Sequence, residues 1–108
     1  MNHWFRFYNE VLDDPKVQKL PLSLFKGWVN LLCLASRSGG VIPSSDAVSF
    51  ALRVPIYTAS KMIQDLIDAK LIEEYGDEYR PHNWNGRQYK SDVSTERVKR
   101  FRKRNETV

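Results

Sequence analysis

The sequence predicts a mainly helical domain carrying one small β-hairpin, and three stretches of its 108 residues support that prediction. Apolar residues recur at Ala59, Met62, Ile63, Leu66 and Ile67, the i, i+3, i+4, i+7, i+8 spacing of an amphipathic helix. A dense apolar run around Trp28 is stopped by Gly39-Gly40. Gly76-Asp77 sits between two short β-prone runs, as the two-residue turn of a hairpin does.

The first 20 residues hold Trp4, Phe5, Phe7 and Tyr8 and turn at Asp14-Pro15, where proline fixes φ and supplies no N–H. They read as a short extended or helical arm packed on the core. In the central helix that follows, Ser23 is the expected N-cap and the helix runs to about Ser36. Arg37 suits the negative end of its dipole, and the two glycines end it. Leu24, Phe25, Trp28, Val29, Leu31, Leu32, Leu34 and Ala35 fill more than one stripe, so this helix should be covered on at least two sides, with a homodimer contact as one use of its spare face.

Val41 and Ile42 make a brief extended piece. Ser45 or Asp46 is expected to cap a short helix through Ala47, Val48, Ala51 and Leu52, closed by Pro55. After a tight turn comes the third helix, whose outer face carries Thr58, Ser60, Lys61, Gln64, Asp65 and Asp68. In the hairpin, Glu73 can face Arg80 across the strand pair. Residues 81–90 read as an ordered strap, anchored by Trp84 and Tyr89 and hydrogen-bonded through His82, Asn83, Arg87 and Gln88; its other use is that Arg87 and Lys90 extend a basic strip. Ser94 as N-cap and Glu96 in the first turn make the basic run after them helical from about Thr95. Three helices within about 45 residues, then a hairpin, is the order of a winged helix-turn-helix. The organisation expected is a winged-helix domain over residues 1–90, made of arm 1–20, core 21–81 and strap 81–90, followed by a basic C-terminal helix or tail over 91–108.

Charge is divided unevenly along the chain. Residues 1–86 carry nine Lys/Arg against ten Asp/Glu, net −1, whereas residues 87–108 carry eight against three, net +5. Six of those cations, Arg97, Lys99, Arg100, Arg102, Lys103 and Arg104, are packed into eight residues with Val98 and Phe101 as a small apolar ridge. Such a run suits a polyanion, because each phosphate it neutralises releases a counterion. Cys33 is the only cysteine, which rules out an internal disulfide or thiolate zinc cluster and suggests a small buried hydrophobe. His3 and His82 fall in no catalytic or metal spacing, so no metal, cofactor or enzymatic activity is expected. No apolar run approaches the roughly 18 residues of a membrane span, and the N-terminus lacks the pattern of a secretory signal, so the expected location is the cytoplasm.

From "DDPKVQKL" through "GWVNLLCLA", "PHNWNGRQYKSD" and "STERVKRFRKR", the chain resembles the N-terminal winged-helix domain of replication proteins encoded by bacteriophages and prophages. The likeness runs the whole length, and "PHNW", "RQYKSD" and the serine-led basic run are its most distinctive parts. It implies binding to origin DNA and help in assembling the replisome, with a helicase or its loader as partner. The further C-terminal region common in that family has no counterpart after Val108, as expected of a fragment or a short member. Lys70 in "DAKLI" stands where similar winged helices commonly put glycine; a left-handed lysine would cost roughly 1 kcal/mol, so a differently built junction is expected there.

For nucleic acid, the third helix offers Tyr57, Ser60, Lys61 and Gln64 to base edges. The hairpin is a poor phosphate reader, since residues 57–80 hold three bases against six acids. Duplex DNA is the expected partner, with single strands or RNA as alternatives in which Phe101 stacks on a base. Two other functions fit the same residues: a protein-interaction or dimerisation module whose acidic hairpin docks a helicase component, and a transcriptional regulator reading an operator through the third helix.

Overall fold

The computed structural model describes residues 3–88. Their elements, in order, are a 3-10 turn (Asn9–Asp13), α1 (Pro15–Gln18), α2 (Leu22–Arg37), α3 (Ser45–Leu52), α4 (Ile56–Asp68), β1 (Ile72–Tyr75), β2 (Glu78–Pro81) and α5 (Trp84–Gln88). The class is the expected one, mainly helical with a two-stranded antiparallel hairpin. Tyr89, Lys90 and the basic run over 97–104 lie outside the described residues.

Prolines and short polar side chains set the helix starts, though not always the expected ones. Asp14 caps α1 by accepting from Lys16 N at 2.9 Å, and Pro15 occupies the first turn, where its missing N–H costs nothing. Pro21, not Ser23, starts α2: its φ of −58° is already set, and its carbonyl accepts from Phe25 N at 2.9 Å, which leaves Ser23 inside the first turn. For α3 the cap is Ser44 rather than Ser45 or Asp46, with Ser44 Oγ accepting from Ala47 N at 3.3 Å and Asp46 left to complement the dipole. Pro55 does not close α3. Arg53 ends that helix at φ 57°, and Pro55 begins α4 by accepting from Ala59 N at 3.0 Å.

The core forms where α2, α3, α4 and the hairpin meet. Trp28, Leu31, Leu32 and Ala35 of α2 are buried against Val48 of α3, Ala59, Ile63 and Leu66 of α4, and Leu71 and Ile72 beyond it. Gly27 lets α4 come close, since a Cβ there would sit 2.5 Å from Met62 Sδ. α2 is covered on two sides as expected, by α4 and by the arm, whose Phe7 lies 5.8 Å from the Trp28 ring. Cys33 is half-buried rather than buried, because it lies off the stripe formed by Leu31, Leu32 and Ala35.

In the hairpin, Glu73 pairs with Arg80 in the backbone register, and Gly76 takes the left-handed position of the turn at φ 61°. Ile42 joins its far edge through one bridge, Ile42 N donating to Tyr79 O at 2.8 Å. Lys70 does adopt the left-handed conformation, at φ 64°. The junction needs it: Leu71 N donates to Leu66 O and Lys70 N to Ile67 O, both at 2.9 Å, which reverses the chain so that Leu71 and Ile72 drop into the core. Lys70→Gly relieves roughly 1 kcal/mol of strain and loosens the unfolded chain by somewhat less. A net gain of about 0.5 kcal/mol and a rise of a few degrees in Tm are expected by thermal denaturation.

The strap is not irregular, since residues 84–88 form the one-turn helix α5. Trp84 anchors it as expected, with its ring buried 6.1 Å from Phe5 and its edge lying over Gly40. The arm is tied to α5 through main chain: Arg6 N donates to Gln88 Oε1 at 2.8 Å and Gln88 Nε2 returns to Arg6 O at 2.9 Å. Tyr8 Oη donates to the Arg87 carbonyl, and Arg87 reaches Glu10 Oε1 at 2.6 Å while lying over the Tyr8 ring. Arg87 is therefore an arm clamp in this fold.

Candidate nucleic-acid interface

The exposed stripe of α4 follows from its periodicity. With Ala59, Ile63 and Leu66 committed to the core, Tyr57, Lys61, Gln64 and Asp68 fall on one line of the outer surface, with Ser60 beside it. The four side chains expected to meet base edges, Tyr57, Ser60, Lys61 and Gln64, are all exposed and share this face. Between the starts of α2 and α4 runs an open groove of about 280 Å³, lined by apolar Pro21, Leu24 and Met62 together with Tyr57, Lys61 and Asp65.

Electrostatics divide the stripe in two. Lys61 Nζ bridges to Asp65 at 3.1 Å, and that hydrogen bond holds the ammonium above its ordinary pKa. Gln64 Nε2 donates to Asp68 Oδ1 at 3.1 Å, leaving its amide oxygen outward. Lys61 and Gln64 are thus each engaged by an acid one turn further on. Towards the start of α4 the charges balance: Arg53 and Lys61 stand between Asp46 and Asp65, the last of which bridges Lys61. Three large side chains stand exposed at that end, of which the sequence reading singled out Tyr57 but not Ile56 or Phe50. Tyr57 is 75% exposed, Ile56 51%, and Phe50, in the last turn of α3, 88%. A signal was available for Phe50 and Ile56, since each closes or opens a helix beside the turn at Arg53, where no element among the described residues covers them.

The hairpin presents the opposite character. Glu74, Asp77 and Glu78 are exposed around Tyr75. Arg80 does not bridge to Glu73 despite their register; it pairs with Glu78 at 3.1 Å and lies over the Tyr75 ring. Glu73 instead bonds His82 and accepts from Tyr75 Oη at 3.0 Å, because side chains at residue 82 and residue 73 meet at the hairpin base. The His82 bond holds the Glu73 carboxyl below its usual value of 4.5 and the Tyr75 phenol is raised by Glu73 in turn. A depressed carboxylate contributes stability above its unfolded-state pKa, and that contribution is lost as pH falls through the folded-state value. Glu73→Gln is therefore expected to lower Tm at about pH 6, and by progressively less as pH falls below 4.5, measured by thermal melts over that range.

Among the described residues, no group of three His, Cys, Asp or Glu could hold a metal ion, and no helix is long and apolar enough to cross a membrane. The six cations Arg97, Lys99, Arg100, Arg102, Lys103 and Arg104 lie outside the described residues, so their relation to α4 rests on sequence alone. No family, curated protein or solved structure matches the chain.

Proposed function

We propose that the chain is the DNA-binding module of a phage or prophage replication protein, built as a winged helix-turn-helix with β1–β2 as the wing and residues 97–104 as the phosphate-holding element. The observation that carries this reading is the charge division: a body of net −1 over residues 1–86, followed by a segment of net +5. A body of that charge gains little from phosphate, so affinity falls to the segment and orientation to the exposed face of α4. The order α2, α3, α4, β1, β2, with α3 and α4 joined through Arg53, Val54 and Pro55, is compatible with such an architecture.

Titration of duplex DNA, single-stranded DNA and RNA oligomers at two salt concentrations, with the intact chain and with a chain ending at Ser94, tests it. Preferential duplex binding that depends on the residues after Ser94 is expected; equal binding by the shortened chain sinks the reading. The acidic hairpin favours a second one. Glu74, Asp77, Glu78 and exposed Tyr75 form a face suited to a basic protein partner such as a helicase component, and in that case the intact chain shows little affinity for any of the three polymers.

A further inference from the structure

The outer face of the hairpin has no partner element among the described residues, and its charge is not cancelled. Ile72 and Pro81 turn inward, so Glu73, Tyr75, Glu78 and Arg80 share the opposite face, with Glu74 and Asp77 exposed near the turn. Residues 72–81 hold four acids against Arg80 alone, net −3, and counting Lys70 before them still leaves −2. Arg80 is spent on Glu78, while Glu73 is held by His82 and Tyr75. Glu74 and Asp77 pair with no cation among the described residues. We infer that this face docks the basic run Arg97 to Arg104 of the same chain, so that duplex DNA has to displace the hairpin to reach those cations. The docking itself stands on charge and reach, and its consequence for DNA rests on the functional reading above.

Three observations select this occupant. First, the charges are complementary: residues 89–108 hold seven Lys/Arg against three acids, net +4, opposite the net −3 of the hairpin. Second, the face already accepts a guanidinium. Arg80 lies 5.2 Å over the Tyr75 ring, and Tyr75 remains 54% exposed, so an arginine of the basic run finds the same ring at hand. Third, the chain leaves the described residues beside this face. Asn83, Asn85 and Gly86 line one polar groove with Glu73, Tyr75 and Arg80, which puts Gln88 within a turn of helix from it. The nine steps from Gln88 to Arg97 extend to about 30 Å, ample for that distance. A tether of this length holds the run near the face at an effective concentration of about the millimolar range, so exposed ion pairs too weak to recruit a separate basic protein suffice within one chain.

Carbodiimide coupling of the intact chain at low salt, followed by peptide mapping, provides the test, because the reagent joins an amine to a carboxylate only where the two are in contact. The expected result is Lys99 or Lys103 joined to Glu74 or Asp77 within one chain, and loss of that link when a duplex of mixed sequence is added. Links spread as often to Asp13 and Asp46, or found only between two chains as a species of twice the mass, overturn the inference. Affinity for the duplex gives a second readout. Glu74→Gln/Asp77→Asn removes two exposed carboxylates that hold nothing else among the described residues, and it should raise affinity on the order of fivefold at low salt, with the gain shrinking as salt rises. Asp13→Asn/Asp46→Asn removes the same charge elsewhere and should change affinity less than about twofold. Equal effects of the two pairs, or none from the hairpin pair, overturn the inference while leaving DNA binding intact. Failure of every chain to bind the duplex overturns the functional reading instead, and the coupling pattern without DNA still decides the docking.

Discussion

Under the proposed function, replacing Arg97, Lys99, Arg100, Arg102, Lys103 and Arg104 by glutamine is expected to lower duplex affinity on the order of 10³-fold near 0.1 M salt and to flatten its salt dependence. The size follows from counterion release. Six cations neutralising five or six phosphates give a log-log slope of about −5, and the body, at net −1, has little to put in its place. The loss is graded: substituting only Arg97, Lys99 and Arg100 should roughly halve the slope. Anisotropy titrations over a series of salt concentrations measure both. A six-glutamine chain that keeps the full slope would move the phosphate contacts to Arg53, Lys61 and other cations of the body.

Gly40→Ala is expected to destabilise the fold by about 3 kcal/mol. Two costs combine. Gly40 sits at φ 94°, where an L side chain adds roughly 1 kcal/mol of strain. Its Cβ would also lie 2.6 Å from Cδ1 and 2.7 Å from Nε1 of Trp84, a buried ring with Phe5 against it, and displacing such a ring costs roughly 2 kcal/mol. Gly39→Ala is the control: its φ is 69°, but nothing lies within 4 Å, so only the strain applies. Denaturant unfolding of the two variants should separate them by about 2 kcal/mol. Equal losses would mean that Trp84 yields freely.

Periodicity made the helices and hairpin legible, because burial of one face dictates spacing: the α4 core positions Ala59, Ile63 and Leu66 and the Glu73–Arg80 register could be read directly. Helix ends were less legible. Ser23, Ser45 and Asp46 are all competent caps, and what selected Pro21 and Ser44 instead was where the preceding loop could deliver the chain. Lys70 shows the same limit from the other side. Local preference argued against a left-handed lysine, and the demand to bury Leu71 and Ile72 outweighed about 1 kcal/mol of strain. For the candidate interface, the stripe from Tyr57 to Gln64 could be placed on one face, whereas the acid partners of Lys61 and Gln64 depend on rotamers that spacing only permits. Gln88 was expected to hydrogen-bond, but its partner could not be read, since Arg6 is 82 residues away.

That distance has a kinetic meaning. Joining Arg6 to Gln88 closes a loop of 82 residues, so its entropy is recovered only once α2, α4 and the hairpin have brought the two ends together. Docking of the arm therefore belongs to the last stage of folding. Weakening the clamp at Gln88 or Arg87 speeds unfolding and leaves the folding rate nearly unchanged.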